Sequence, residues 1–245
     1  MIAKGKTRIN VKGGTDTKWS MPIDYFSNVF LPQLKRYADI DFKLETRGYF
    51  PKGNGSIDIN IKPRYSFETK NDAPSIEMID QGHLMQIKGV SNSSKSLEKA
   101  QVAERQAKSA EYDLKDIECP VNIRSEYCDS LSDGSAIVLW AIFSKDKDDM
   151  DMKNQIIMGS DSLGEKGKKA EIVGKEAAKR LIDEIGYDAP VDEYLADNMI
   201  PLLGLFGGKI KVTKISEHTL TNIYVVEQFL DVKFNINEKE KIISV

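Results

Sequence analysis

The amino-acid sequence predicts an α+β fold, with helices on one face of mixed sheets. Two observations point to it: strand, helix and strand segments recur along the chain, and hairpin-like strand pairs stand between them. The 245 residues suffice for one large domain or two smaller ones, and two is the working count.

Residues 7–12 alternate apolar and polar side chains, and Gly13-Gly14-Thr15-Asp16 closes them, which predicts a strand ending in a tight turn. A helix follows, with Ser20 as its cap, Pro22 at an early position, and Tyr25, Phe26, Val29, Phe30 and Leu34 at helical spacing. Lys35 and Arg36 suit its negative end. Residues 41–49 and 56–62 read as strands around a Gly-rich turn, the second with Ile57, Ile59 and Ile61 on one face. An extended stretch over 75–90 leads to Ser91-Asn92-Ser93-Ser94, a polar cluster expected to cap the next helix. That helix has a small face of Leu97, Ala100, Val102, Ala103, Ala107 and Ala110.

Residues 121–126 and 136–143 are expected to be strands with Asp133-Gly134 turning between them. Residues 145–153 form a charged connection, and 155–158 add a strand. Ile172, Val173, Ala177, Leu181 and Ile182 predict a helix over 165–185. A further helix over 191–206 stops at Gly207-Gly208, and a strand over 209–215 follows. Ser216-Glu217-His218-Thr219 then opens a helix carrying Ile223, Val226, Phe229 and Leu230, and 232–234 with 241–245 close a sheet.

Composition narrows the function classes. Hydrophobic residues at 40% and charged residues at 30% are a soluble globular balance. No apolar run approaches the ~20 residues that cross a bilayer. The start lacks an apolar signal region, so no membrane partner and a cytoplasmic or nuclear location are expected. Cys119 and Cys128 are too few for a disulfide framework, and with His83 and His218 they form no zinc spacing, so no metal-ligating residue is assigned. A formal charge of −3 excludes a strongly basic nucleic-acid coat and leaves only a local RNA site.

His218 stands at a strand-to-helix junction, where a side chain is displayed at a sheet edge. A helix N-terminus disfavours an imidazolium and stabilises an incoming phosphate. Taken alone, the residue reads as readily as a surface or capping histidine. Asp197 follows Tyr194 by one helical turn, so an aromatic plate and a carboxylate share a face and could serve one nucleotide, or be an exposed acid beside a half-buried tyrosine. The string from Arg47 to Gly55 combines a cation, Pro51, Lys52 and glycines that allow close backbone approach, although a hairpin loop needs such residues anyway. Gly164 to Lys169 lacks the Walker spacing and reads as a basic helix entry near RNA.

Together and in order, these strings resemble the RNA 3'-terminal-phosphate cyclase family along nearly all of the chain. Gly13-Gly14-Thr15-Asp16 comes first. The family signature of Arg or His, Gly, two residues, Pro, one residue and three glycines is met by Arg47, Gly48, Pro51, Gly53 and Gly55, with Asn54 in place of the middle glycine. Leu163 to Gly167, Glu193 to Asp197 and His218 to Asn222 complete the set.

The resemblance implies that His218 is the adenylylated nucleophile, that Asp197 holds the ribose, and that Tyr194 and Pro51 sandwich the adenine. Asn198 stands where bacterial members usually have Gln. Arg47, Lys52 and Lys166 become candidate RNA or phosphate contacts. The implied substrates are ATP with Mg2+ and an RNA bearing a 3'-phosphate, and the product is a 2',3'-cyclic phosphate end. The implied fold is a large domain of βαβαββ-type repeats, over 1–76 and 160–245, with a smaller α+β domain inserted over 77–159. Family members begin with a Gly-rich strand-turn-helix that the sequence does not show, so a missing first repeat and association between copies through the exposed face are expected. Two other readings stand beside this one. Non-catalytic relatives bind RNA or act in ribosome assembly but lack the nucleophilic histidine, and an enolpyruvyl-type transferase shares only the architecture.

Overall fold

The computed structural model describes residues 2–146 and 156–245, and it bears out the α+β class with three sheets and packed helices. In the first sheet β1 (Thr7–Gly13) and β2 (Ala38–Thr46) flank β3 (Gly55–Pro63), all antiparallel. Alternation sets the register. Ile9 and Val11 of β1, and Phe42 and Leu44 of β2, stand opposite Ile59 and Ile57, so one face of the sheet is apolar.

The helix between β1 and β2 runs as α1 (Ile23–Tyr25), a π turn (Phe26–Phe30) and α2 (Leu31–Leu34). Phe26 packs on Phe42 of this sheet, with ring centroids 5.6 Å apart, while Tyr25 and Val29 point into the main core. The expected Ser20 cap is not made. Pro22 occupies the cap position without a side-chain bond, and the Ser20 hydroxyl donates to the Thr17 carbonyl in the preceding turn.

The second sheet has the order β6-β5-β7-β8, built from β5 (His83–Ser94), β6 (Val121–Cys128), β7 (Ser135–Ser144) and β8 (Ile156–Leu163). β6 runs parallel to β5, and β7 lies antiparallel to both β5 and β8. Helices α3 (Val102–Leu114) and α4 (Ala170–Gly186) cover one face, where Ile137, Leu139 and Phe143 meet Leu114, Val173 and Leu181. On the opposite face Val138, Trp140 and Ile142 meet Tyr25 and Val29. β7 is therefore buried on both sides, which accounts for its unbroken apolar run.

Two expectations fail in this sheet. Ser91 to Ser94 do not cap a helix; they lie buried within β5, where the Ser91 hydroxyl sits 2.8 Å from the Ala103 carbonyl and 2.9 Å from Gln106 Oε1. Hydrogen bonds satisfy the polar run inside the fold, so polarity there does not signal a helix end. α3 instead starts after a 3-10 turn (Lys95–Ala100), at Gln101 with φ +52°. Secondly, β6 and β7 do not pair as a hairpin, because β5 lies between them. The turn at Asp133-Gly134 redirects the chain across β5, and Gly134 admits the Tyr49 ring, since a Cβ there would meet Tyr49 Cγ at 2.3 Å. Most of the charged connection expected over 145–153, and Gln155, lie outside the described residues.

The third sheet has the order β10-β11-β9-β4, from β4 (Ile76–Met78), β9 (Gly208–Lys211), β10 (Asn235–Asn237) and β11 (Ile242–Ser244). α5 (Glu193–Phe206) and α6 (Glu217–Phe229) pack together beside it. Gly207, at φ +70°, ends α5 in a conformation that favours glycine. β9 is shorter than expected, ending at Lys211. Beyond it the Thr213 N–H bonds to Val191 at the entry to α5. The second sheet with α3 and α4 forms a packing unit over 83–186, so the boundaries expected at 77 and 159 fall inside β4 and β8. Among the described residues no helix is long and apolar enough to cross a membrane.

Candidate active site at the junction of two helices

Ser216 caps α6, and its hydroxyl accepts the Thr219 N–H at 3.0 Å while Thr219 Oγ1 accepts the Ser216 N–H at 3.3 Å. This reciprocal capping box fixes the first turn of the helix. His218 is the second residue of that turn; it is exposed, and its ring bonds to none of the described residues. The free N–H groups of the turn and the helix dipole make this tip favourable for a phosphate.

Asp197, on α5, holds the cap from the other side. Its Oδ1 accepts from Ser216 Oγ at 2.9 Å and from Thr219 Oγ1 at 2.5 Å, and its backbone carbonyl accepts the Asn222 amide at 2.8 Å. Each hydroxyl thus donates its one proton to Asp197 and accepts a backbone N–H. Oδ2 accepts nothing from the described residues, which leaves one carboxylate oxygen for a ligand.

The start of α5 is fixed just as firmly. Asp192 is buried as its N-cap and accepts the Leu195 N–H at 2.9 Å, the Tyr25 hydroxyl at 2.5 Å and the Gly159 N–H at 2.8 Å. Burial pushes its carboxyl upward, against the pull of these bonds. Tyr194, one turn before Asp197, is half-exposed and meets Tyr25 edge-on at 6.5 Å between centroids. It lines a pocket of about 330 Å³ with Ser160, Arg180, Glu184, Glu193 and Lys214. Burial pushes the Glu184 carboxyl up to about 7 and that of neighbouring Asp161 to about 6. Asn198 turns its amide back to the Tyr194 carbonyl at 2.8 Å.

The structure therefore brings Tyr194, Asp197, Asn198 and His218 to one corner. It places the other candidates elsewhere. Arg47 is 6% exposed, and its guanidinium grips Asp24 at 2.7 and 3.1 Å, Glu126 at 3.1 Å and Asp16 at 3.4 Å. Three carboxylates already neutralise it, so it is no RNA contact in this arrangement. Pro51 follows a cis Phe50–Pro51 bond at the β2–β3 tip, where Lys52 N donates to Ser132 Oγ and Tyr49 lies against Gly134. That places the tip at the Ala136 end of β7, whereas Tyr194 stands beside Gly159, which pairs with Trp140. Four residues of strand, roughly 13 Å, separate the two levels. Pro51 and Tyr194 thus stand on different elements, the β2–β3 tip and α5. Lys52 and Lys166 are exposed on separate loops.

Sequence reasoning missed the two caps. The Ser-x-x-Thr spacing at 216–219, and an aspartate directly before the helical pattern at 193, were the available signals.

An imidazole at a helix tip, an acid bracing that tip and an aromatic-lined pocket on the adjoining helix define a corner suited to a phosphorylated ligand. Comparison with known proteins gives the family. The family described as RNA 3'-terminal phosphate cyclase matches residues 1–236, and the chain belongs to it. It is 38% identical to an RNA 3'-terminal phosphate cyclase of Pyrococcus furiosus, over 99% of this chain and 67% of that protein. The same-named proteins of Pyrococcus abyssi and Pyrobaculum aerophilum are 36% and 37% identical, over 96% and 98% of this chain and 64% and 65% of theirs. The chain spans about two thirds of the length of these relatives.

Proposed function

We propose that the protein uses ATP to convert an RNA 3'-terminal phosphate into a 2',3'-cyclic phosphate, with His218 carrying the nucleotide. An imidazole nitrogen of His218 attacks the α-phosphorus of ATP, a phosphorus–nitrogen bond forms, and pyrophosphate leaves. An oxygen of the RNA 3'-phosphate then attacks the same phosphorus and frees the imidazole. The neighbouring 2'-hydroxyl closes on the 3'-phosphorus, loses its proton and expels AMP. A phosphate monoester is a poor electrophile until AMP is attached as leaving group, and the intramolecular closure gains a large effective molarity.

Asp197 Oδ2 is the acceptor for a ribose hydroxyl in this reading, Tyr194 supplies a stacking face, and Asn198 supports the same nucleotide once its amide turns outward. Among the described residues no group of three or more His, Cys, Asp or Glu gathers to hold a metal ion. Mg2+ bound to the triphosphate would supply positive charge that neutralises the pyrophosphate as it leaves. Residues 83–186 form the inserted unit of the larger, repeat-built domain in this proposal.

The observation that carries the reading is His218, exposed on a capped helix tip that Asp197 braces. The test is incubation with α-labelled ATP and Mg2+. Label that is acid-labile, base-stable, lost in His218→Ala and kept in His83→Ala is the expected result. A protein that binds RNA without ever taking the label would overturn it in favour of the non-catalytic reading.

A further inference from the structure

Trp19 is fully exposed, at 100%, and holds a φ of +68°. A bulky residue in the left-handed region costs energy, and such strain persists where surrounding contacts enforce it. Those contacts are present. Thr17 and Ser20 join their hydroxyls at 2.8 Å, Ser20 also donates to the Thr17 carbonyl at 3.1 Å, and Lys18 pairs with Glu165 at 3.1 Å. The loop is thus clamped so that it presents an indole to solvent, which no packing requirement of the fold explains.

The indole lines a pocket of about 340 Å³ together with Lys18, Asp161, Lys168 and Arg180. Lys18 is neutralised by Glu165 and Lys168 by Glu176. Arg180 is different. Its Nη1 donates to the Asp161 backbone carbonyl at 2.9 Å, the Asp161 carboxylate acts on it only through space, and it forms no ion pair within 4 Å among the described residues. It also lines the pocket beside Tyr194, so one guanidinium stands between two aromatic-lined hollows.

We propose that Trp19 and Arg180 form a nucleotide subsite for single-stranded RNA, with a base stacked on the indole and a backbone phosphate on the guanidinium. An exposed aromatic beside an unpaired cation is the arrangement by which proteins hold single strands, since every base offers a π-face. The inference rests on the proposed cyclase reading only for the identity of the strand, an RNA 3' end approaching the neighbouring corner.

The test measures binding of a fluorescent five-nucleotide RNA with a 3'-phosphate to the full chain by anisotropy, across a range of salt. Both side chains are solvent-facing, so the variants are expected to fold. Trp19→Ala is expected to weaken binding roughly tenfold or more, and Trp19→Tyr to retain most of the affinity. Arg180→Ala is expected to weaken binding and to lower the slope of log affinity against log salt by about one. Histidine labelling from ATP in Trp19→Ala is expected within about twofold of wild type. RNA affinity unchanged in both alanine variants overturns the subsite. So does a Trp19→Ala protein that binds RNA normally but no longer takes AMP, which assigns the indole to the ATP nucleotide. If the wild type takes no label while both variants lose RNA, the cyclase reading fails and the subsite stands.

Discussion

The corner between α5 and α6 and the cluster around Arg47 both arise from compact motif strings, yet they use polar groups in opposite ways. At the corner, internal bonds are spent on holding a helix tip: Ser216, Thr219 and Asp197 satisfy one another, and His218 and one Asp197 oxygen remain outward. Around Arg47 every bond closes inward. The guanidinium joins α1 through Asp24, the turn after β1 through Asp16 and β6 through Glu126, while Asn92 of β5 reaches the same Asp24 at 3.2 Å. Burial pushes the Asp16 carboxyl up and Arg47 opposes that shift. The difference teaches that a conspicuous cation-and-glycine string can be a fastener between layers, whereas a modest Ser-Glu-His-Thr can leave a side chain turned outward at a helix tip.

Stability measurements can break this comparison. Arg47→Ala leaves buried carboxylates without their cation and is expected to cost about 3 to 5 kcal/mol. At this chain length that lowers Tm by roughly 10 °C, measurable by calorimetry. A loss below about 1 kcal/mol would return Arg47 to the list of ligand contacts. Asp197→Ala is expected to cost less, about 1 to 3 kcal/mol, because it takes the acceptor from the buried Ser216 and Thr219 hydroxyls. It should also slow histidine labelling, so a variant that loses stability but labels at the wild-type rate would restrict Asp197 to bracing.

The smallest expected effect concerns pH. Burial raises the Glu184 carboxyl from its ordinary 4.5 to about 7, so the folded protein binds that proton more tightly than the unfolded chain. Stability from this group is therefore present at low pH and is lost as pH rises from about 4.5 to 7. Glu184 is partly solvated, so the loss is about 1 to 2 kcal/mol rather than the full value of the shift. Glu184→Gln removes it. Melting curves of the two proteins are expected to diverge between pH 5 and pH 8 in favour of the variant, and parallel curves would show that water already solvates the carboxylate.

Much of this architecture was legible in the sequence where side chains repeat. Ile57, Ile59 and Ile61 announced β3 and its face, and the spacing of Val173, Ala177 and Leu181 announced α4. Pairing partners were not legible. Asp133-Gly134 specifies a change of direction, but nothing local says that β7 turns onto β5 rather than β6. Ser91 to Ser94 read as a helix cap because Ala103 and Gln106, the partners of Ser91, arrive from a helix later in the chain. Tyr194, Asp197 and His218 were singled out through their order along the chain, and the structure sets them on the adjoining helices α5 and α6. The cis bond before Pro51 and the contact of its loop with Ser132 were not legible, because a motif fixes neighbours in sequence and leaves open which loop packs against it. Arg47's burial depended likewise on Glu126, 79 residues away.

The most direct measurement is peptide mapping of the wild-type chain by mass spectrometry after incubation with ATP and Mg2+. The account predicts one AMP group per chain, on the peptide that contains His218, removed by acid and absent from a folded His218→Ala protein. AMP on any other residue, or a His218→Ala chain that is folded and still adenylylated, would contradict it.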